Sequence, residues 1–477
     1  MALIYTPKLW IRNNAGQWAD LTPRGDLCAL SGIRITWGTT DGTRQPEPSV
    51  MTFTLMDRTG DTVRDAANLA GRRIRLTYTS PSGGMSPVFY GIITSGLRVR
   101  RDPGGAWRIT LSASSTMILW KRLRGKGPVS TSSQYDNVLR DNFHWLGTSS
   151  DLLTEMNKRA RAIDGPECVP PGGMTNFNPQ GAAPYPNSEF PSQLTVLHEY
   201  GETGKVTLWY EDATYISSRP TLTAIELTSD QYAVSIDTEC RTIVSKGGDN
   251  RASQRLATPA SQVESDATYQ LYEPYTTLTF QLLSTSLDTS GKPSFNDAQL
   301  SFSVDDVPDD LKTVQKSIII PTRHFKDPVY TFWSSFTSMF DSTRERLCRQ
   351  LLRNLCLRFT PVNATFDSDK LDTDQLRYYM PQPIRYIAFS GQPTDLPFDA
   401  IGPYAAIGGT LTIDWKHGSP HARNEVTLWP LPCDSCKRGT WRWADLPAGW
   451  TATYATGNIQ YDQLTQTDEY LTYKAAA

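Results

Sequence analysis

No apolar stretch in these 477 residues approaches the ~20 needed to cross a bilayer. No basic-then-apolar leader opens the chain. The expectation is a protein made and kept in the cytosol unless another assembly carries it out. Histidine is scarce, at five, and the seven cysteines are odd in number and widely spaced. That spacing gives no disulfide framework and reads as reduced thiols. No phosphate-cradling loop occurs, because Gly291-Lys292 is followed by Pro293 and no glycine stands at the required distance before it. His198-Glu199 lacks the second histidine of a zinc protease, and there is no Gly-x-Ser-x-Gly elbow. Cys168 falls in a proline-rich stretch and not at a helix N-terminus, which argues against a Cys–His hydrolase. These absences remove the common nucleotide-binding and hydrolytic classes.

What is present is alternation. Ile33-Ile35-Trp37, Met51-Phe53-Leu55, Ile74-Leu76-Tyr78, Val88-Tyr90-Ile92, Leu97-Val99 and Trp107-Ile109-Leu111 place apolar residues at every second position. Arg, Thr or Ser sits between most of them. A period of two gives each strand one buried and one wet face, so the segment predicts a small antiparallel barrel or sandwich. Thirteen Trp and twenty-one Tyr suit β structure and interface surface. Hydrophobic content of 39% with 20% charged is ordinary globular composition.

The net charge of −2 hides an asymmetry. Residues 1–125 carry 17 Lys+Arg against 8 Asp+Glu, or +9, and the remainder carries 30 against 41, or −11. The arginines of the first part alternate with apolar residues on strands and do not cluster in a loop or helix, which disfavours nucleic acid. A charged face complementary to a neighbouring subunit is the simpler reading.

Beyond the first strands, Arg122 to Thr131 reads as a basic connector. Tyr135 to Leu146 has helical spacing, and a second helix starts near Ser150 with Leu153, Met156 and Ala160 on one stripe. Residues 165–191 hold seven Pro and four Gly, which predicts a long loop or extended arm without helix or sheet. Ser192 is placed to cap a helix carrying Val196, Leu197 and Tyr200 and stopped at Gly201. Val206 to Tyr210 reads as a strand that turns at Glu211-Asp212, followed by strands at 222–227, 234–236 and 242–244. The most regular helical pattern begins at Asp341-Ser342, with Leu347, Leu351 and Leu355 at i, i+4, i+8 and Pro361 beyond its end. Strands at 384–388, 409–415 and 426–428 follow.

The run Arg44-Gln45-Pro46-Glu47-Pro48-Ser49 leads into Met51-Thr52-Phe53-Thr54-Leu55-Met56-Asp57. Gly71-Arg72-Arg73-Ile74-Arg75-Leu76 and Val88-Phe89-Tyr90-Gly91-Ile92-Ile93 follow. In that order and spacing the motifs resemble the first domain of the tail hub, or minor tail, proteins of siphophages that infect actinobacteria. Leu227-Thr228-Ser229-Asp230 and Ile243-Val244-Ser245-Lys246 occupy further places of that family's pattern. The segment 165–191 has no counterpart in it.

The resemblance implies a β-rich α+β fold, with two small antiparallel β-barrel domains joined by mixed α/β segments in a hub-like ring. The division would be 1–125 (barrel), 126–245 (connecting, with the loop 165–191), 246–432 (second barrel region, with helix 341–359) and 433–477 (aromatic arm). It implies a structural virion protein at the baseplate hub of the viral tail tip, which joins a sixfold tube to a threefold tip and closes the channel until host attachment and genome ejection. A homotrimer is implied, with a distal tail ring protein, a tape measure protein and other minor tail proteins as partners. The host surface would be contacted indirectly, and no cofactor, sequence-specific nucleic acid or membrane span is implied. Assembly would take place in the host cytoplasm. The alternatives are the hexameric distal tail ring protein, against which two barrels argue, and a tail-associated protein that binds or degrades the cell envelope.

Two constellations remain. His417 and His421 precede Cys433 and Cys436, a donor set that would suit tetrahedral zinc. The histidines flank Gly418-Ser419-Pro420, hairpin chemistry that splays side chains, so a chance pair of reduced thiols and a local disulfide stand beside zinc as readings. Trp441, Trp443 and Trp450 read as anchors of an arm in a neighbouring subunit's groove, or as rings that stack on envelope sugars.

Overall fold

The computed structural model describes residues 6–123 apart from 24, 41, 43, 80–84 and 95–97. It further describes 149–169, 192–201, 207–216 and 219–226, then the segments 232–237, 242–247, 269–271, 277–287, 293–303, 315–318, 359–361, 363–368, 381–390, 404–415 and 421–430. The first part supplies β1 (Thr6–Arg12), β2 (Trp18–Asp20), β3 (Leu27–Ala29), β4 (Ile33–Gly38) and β5 (Val50–Asp57). After the short helix α1 (Asp61–Arg64) come β6 (Arg73–Thr79), β7 (Met85–Ile93), β8 (Arg98–Arg101) and β9 (Trp107–Ser115), then helix α2 (Met117–Arg122). The six alternating runs become β4 to β9, and Ile33, Ile35, Met51, Leu55, Ile74, Leu76, Tyr78 and Ile109 are fully buried as expected; on β7 Tyr90 of the expected apolar run instead faces outward, with Phe89 and Ile93 in the core. The expectation missed β1 to β3. Two of these have only three residues, too few to register as a period.

The motif residue Asp57 has a structural explanation. Its buried carboxylate accepts from the N–H groups of Thr59, Gly60 and Val63 at 3.2, 2.8 and 3.1 Å. It thereby serves the open N-terminus of α1, whose own cap position is Gly60.

The middle of the chain forms a second, smaller core. Helix α3 (Ser149–Ala162) buries Leu153, Met156 and Ala160, the stripe expected from the sequence. β10 (Glu167–Val169), α4 (Gln193–Gly201), β11 (Thr207–Ile216) and β12 (Arg219–Glu226) complete it. Ser192 caps α4 as expected, its Oγ accepting from the Thr195 N–H at 3.0 Å. Two expectations are corrected. β10 lies inside the Pro/Gly-rich stretch and pairs in parallel with β12, because the three residues Glu167-Cys168-Val169 carry no Pro or Gly. Glu211 and Asp212 continue β11 and do not turn; the pairing with β12 becomes irregular only after Asp212.

Later come β13 (Tyr232–Asp237), β14 (Thr242–Gly247), β15 (Tyr269–Leu271), β16 (Thr277–Leu287), β17 (Pro293–Ser303), β18 (Gln315–Ile318) and β19 (Phe359–Pro361). The last are β20 (Asn363–Ser368), β21 (Ile384–Ser390), β22 (Tyr404–Asp414) and β23 (His421–Pro430). Phe359 and Pro361, expected at and just past a helix end, are in β19, where Pro361 ends a three-residue strand. The rest of the 341–359 helix and the helix expected over 135–146 lie outside the described residues.

Most strands belong to one 15-stranded sheet, ordered β14-β13-β21-β22-β4-β5-β9-β7-β6-β1-β2 with β3, β8, β20 and β23 as branches. The two barrels expected from the sequence are not seen as closed units among the described residues. Instead β22 pairs antiparallel with β4, from Gly408 opposite Gly38 to Ile413 opposite Ile33. One apolar core therefore runs from Leu9 and Ile35 through Tyr210 to Phe366, Ile407, Leu411 and Val426. Alternation along each strand is local information, whereas which strands become neighbours depends on edges far apart in the chain.

Glycine makes this pairing possible. A Cβ on Gly38 would meet the Ile407 carbonyl oxygen at 2.2 Å, and one on Gly408 would meet the Thr39 carbonyl oxygen at 2.3 Å. Thr39 N–H and the Tyr210 hydroxyl both donate to that same Ile407 carbonyl, at 3.0 and 2.8 Å. Trp37 packs on Tyr210, ring centres 6.5 Å apart, and its indole N–H reaches the buried Asn424 of β23 at 3.4 Å. Both backbones are fixed here, so neither can yield to a new methyl group. Gly408→Ala is expected to cost about 1–3 kcal/mol and to speed hydrogen exchange in both 33–38 and 404–414. Gly104→Ala, where the new methyl has nothing within 4 Å, is the control and should leave both unchanged.

Candidate interaction surface

The outward face of the sheet is set by the same period of two that fills the core. With Leu9 and Ile11 inward on β1, the positions Lys8, Trp10 and Arg12 point out; with Ile74 and Leu76 inward on β6, Arg73 and Arg75 do. Antiparallel pairing aligns Asp20, Trp10, Arg75 and Tyr90 in one row across β2, β1, β6 and β7. The Arg75 guanidinium carbon lies 5.1 Å from the Trp10 ring centre and 4.4 Å from that of Trp18. Trp18 in turn meets Tyr90 edge-on at 5.9 Å, and the Lys8 ammonium sits 5.6 Å from the Trp10 ring. The Trp10 indole N–H donates to the Thr77 hydroxyl at 2.9 Å, fixing its ring against the sheet. Burial pushes the Tyr90 hydroxyl up from its usual range, against the opposing pull of Arg73.

Arg73 anchors this face to the middle core. Its Nη2 donates to the carbonyls of Ile163 and Asp164 at 3.3 and 2.9 Å and pairs with the Asp164 carboxylate at 3.2 Å. Asp164 stands just past α3 with φ of 57°, in a left-handed conformation that Asp tolerates better than most residues. Two guanidinium nitrogens on β6, Arg73 Nη1 and Arg75 Nε, are buried without a hydrogen-bond acceptor.

A second basic surface is the β8–β9 hairpin. Arg98, Arg100, Arg101 and Arg108 are exposed there. Arg100 stands directly opposite Arg108, a like-charge pair that is destabilising in isolation. Asp102 relieves one member, accepting from Arg108 Nε at 2.6 Å, and Arg101 lies over the Trp107 ring at 5.3 Å.

Beneath these faces a seam joins the large sheet to the middle core. Glu211 of β11 accepts from the Thr116 N–H at 3.1 Å, the Thr116 hydroxyl at 2.6 Å and the Met117 N–H at 2.6 Å. Its carboxylate thus supplies the N-terminal cap of α2, which has no side-chain cap of its own. Burial pushes the Glu211 carboxyl up, and its hydrogen bonds from Thr116 and Met117 partly offset this. The motif segment 45–49 ties to the same place. Gln45 accepts from the Trp209 N–H at 3.1 Å, Ser49 from the Ser115 N–H at 2.7 Å, and Glu47 pairs with Lys121 at 2.6 Å.

The titratable groups of the middle core are placed for packing. Burial pushes the Cys168 thiol far up, so it stays protonated at neutral pH and is no nucleophile. Burial, with the Lys121 charge second, pushes His198 down to about 3, and its Nε2 is buried without a partner. Among the described residues no three His, Cys, Asp or Glu are gathered to hold a metal. Of the zinc candidates, only His421 is described, at the start of β23 opposite Asp414. His417, Cys433, Cys436 and the arm residues Trp441, Trp443 and Trp450 lie outside the described residues. The sequence reading passed over Trp10, Trp18 and Glu211. The alternation of Lys8, Trp10 and Arg12 along β1 was the available signal for Trp10; the three-residue β2 gives none for Trp18, and a capping carboxylate 95 residues away leaves none for Glu211.

No protein-family model matches the chain, and no curated protein matches it. Among solved structures, the tail protein from Neisseria meningitidis MC58 is similar at 10% identity and a TM-score of 0.47, over 89% of this chain and 97% of that one. The 43 kDa tail protein of prophage MuSo2 from Shewanella oneidensis is similar at 9% identity and 0.45, over 88% and 97%. The prophage tail protein gp18 from Listeria monocytogenes EGD-e is similar at 11% identity and 0.40, over 88% and 94%.

His198 gives a pH dependence of known sign. Its folded pKa lies below the ordinary 6.5, so the unfolded chain binds the extra proton and stability falls as pH drops from 6.5 towards 3. Between pH 7 and pH 5 the wild type is expected to lose about 2 kcal/mol relative to His198→Asn, by urea denaturation. Equal pH slopes in the two proteins would refute the buried neutral imidazole.

Proposed function

We propose that the chain is a structural protein of a phage tail, the homotrimeric hub at the tip of a long non-contractile siphophage tail. One observation carries the reading. The ordered motifs that resemble the hub proteins of actinobacterial siphophages fall on β5, β6 and β7 of one sheet, β6 and β7 paired antiparallel, and their Asp57 and Gln45–Ser49 elements are structural pins. The chain's work is then geometric, matching a sixfold tube to a threefold tip and closing the channel until host contact. Affinity comes from buried interface, with about 2,000 Å² or more per obligate contact. A distal tail ring protein, a tape measure protein and other minor tail proteins are the neighbours this role requires. The segment 433–477 fits the role as an arm docked through Trp441, Trp443 and Trp450, and no enzymatic activity is required.

Purified protein, by mass photometry, and the particle, by reconstruction, are expected to show threefold copies of this chain. A sixfold ring would favour the distal ring protein instead. The same preparation is expected to release no soluble sugar or peptide from purified cell walls. Release abolished by a single Asp or Glu substitution would replace the structural role with a degradative one.

A further inference from the structure

We propose that the outer face of β2, β1, β6 and β7, centred on Arg75, is a docking site for a second copy of this chain. The incoming copy would present a carboxylate from its acidic part, beyond residue 125, to the edge of the guanidinium. This rests on the homo-oligomeric reading above and adds the surface that mediates it.

Arg75 is held in an unusual state for a surface arginine. Two indole rings lie against its guanidinium, at 5.1 and 4.4 Å, and its Nε is buried without an acceptor. Arg73, two residues along the same strand face and roughly 7 Å away, buries Nη1 without an acceptor as well. Buried donors left unmade are costly. The two rings lie against the Arg75 guanidinium, whose Nε is held out of water. Of the Arg75 guanidinium only Nε is buried without a partner, so its two Nη groups are the open end of a fork that the rings hold ready for a carboxylate, which would receive paired, charge-assisted bonds.

The surroundings select the occupant. Trp10, Trp18, Tyr90 and the two arginines are the residue types that dominate the centres of protein interfaces. Nucleic acid fits less well: the indole faces that bases would stack on are engaged by Arg75 and Lys8. Asp20 and Asp164 also border the patch. A second copy supplies the complement, because residues 1–125 carry +9 and the remainder −11. β2 closes the sheet path with only three residues, and so short an edge strand favours contact through side chains over strand addition.

The test follows self-association of the full chain by mass photometry and sedimentation over a concentration series, with thermal melts alongside. Arg75→Gln is expected to raise the dissociation constant of the oligomer at least about tenfold with the fold intact. Arg75→Lys should fail to restore it, since an ammonium offers no planar fork. Arg100→Gln, the same charge change on the β8–β9 hairpin, should assemble as wild type. Should Arg75→Gln unfold, hydrogen exchange of the wild type gives the same reading without a variant. Protection of 6–12, 18–20 and 73–79 on assembly is expected, and its absence overturns the proposal. Assembly of Arg75→Gln at wild-type affinity overturns the docking site while leaving the oligomeric reading in place. A wild type that stays monomeric at every concentration overturns both.

Discussion

The whole structure turns on one pair of strands, β4 and β22, whose backbones approach so closely that only glycine fits at Gly38 and Gly408. This pairing converts two groups of strands from opposite ends of the chain into one sheet with one core. Trp37 and Asn424, hydrogen-bonded across it, are 387 residues apart in sequence. Closing so long a loop costs conformational entropy before any contact repays it. The junction is correspondingly dense: the Ile407 carbonyl takes two donors, from Thr39 and Tyr210, and Ser31 links to both Asp414 and the Trp415 N–H. Non-local pairing of this kind folds slowly.

The middle core hangs from this junction by polar contacts as well as packing. Tyr210 enters the large core while its neighbour Trp209 is fully buried in the small one. The alternation of β11 thus divides one strand between two cores. Glu211 then reaches back to cap α2. A carboxylate buried among N–H donors pays desolvation to hold that helix in place, and the two opposing influences on its proton affinity are visible in the same site. Position in the small core is set by such pins: Trp120 donates to the Pro166 carbonyl at 2.9 Å, and Asn157 both accepts from and donates to the Cys168 backbone.

Charge is distributed outward and is only partly paired, as in Lys8 with Asp20, Arg73 with Asp164 and Arg108 with Asp102. Nine of the seventeen Lys and Arg of the first 125 residues stand on strands, at positions whose inward neighbours build the core, so that much of the basic surface is a by-product of the alternation that makes the sheet. It falls on two separate faces, the aromatic row around Arg75 and the β8–β9 hairpin. They differ in that the first holds guanidinium nitrogens out of water and the second leaves them in it.

Reading residues in order was enough for what is local. Period two placed β4 to β9, β12, β21 and β23 within a few residues, the Leu153-Met156-Ala160 stripe placed α3, and Ser192 placed the start of α4. These depend only on the 2.0 and 3.6 residue repeats of the backbone and on a cap within reach. Glu211 and Asp212 misled, since an acidic pair resembles a turn until a helix elsewhere is found to need its carboxylate. Cys168 was legible as a poor nucleophile but not as a strand residue, because three residues carry no period. The sequence by itself determined that alternating strands would bury one face and leave arginine, threonine and serine on the other. Only the tertiary structure decided that β22 would lie beside β4 and Trp18 over Arg75, because strand edges carry the same backbone groups everywhere and the choice of neighbour rests on shape complementarity between distant residues.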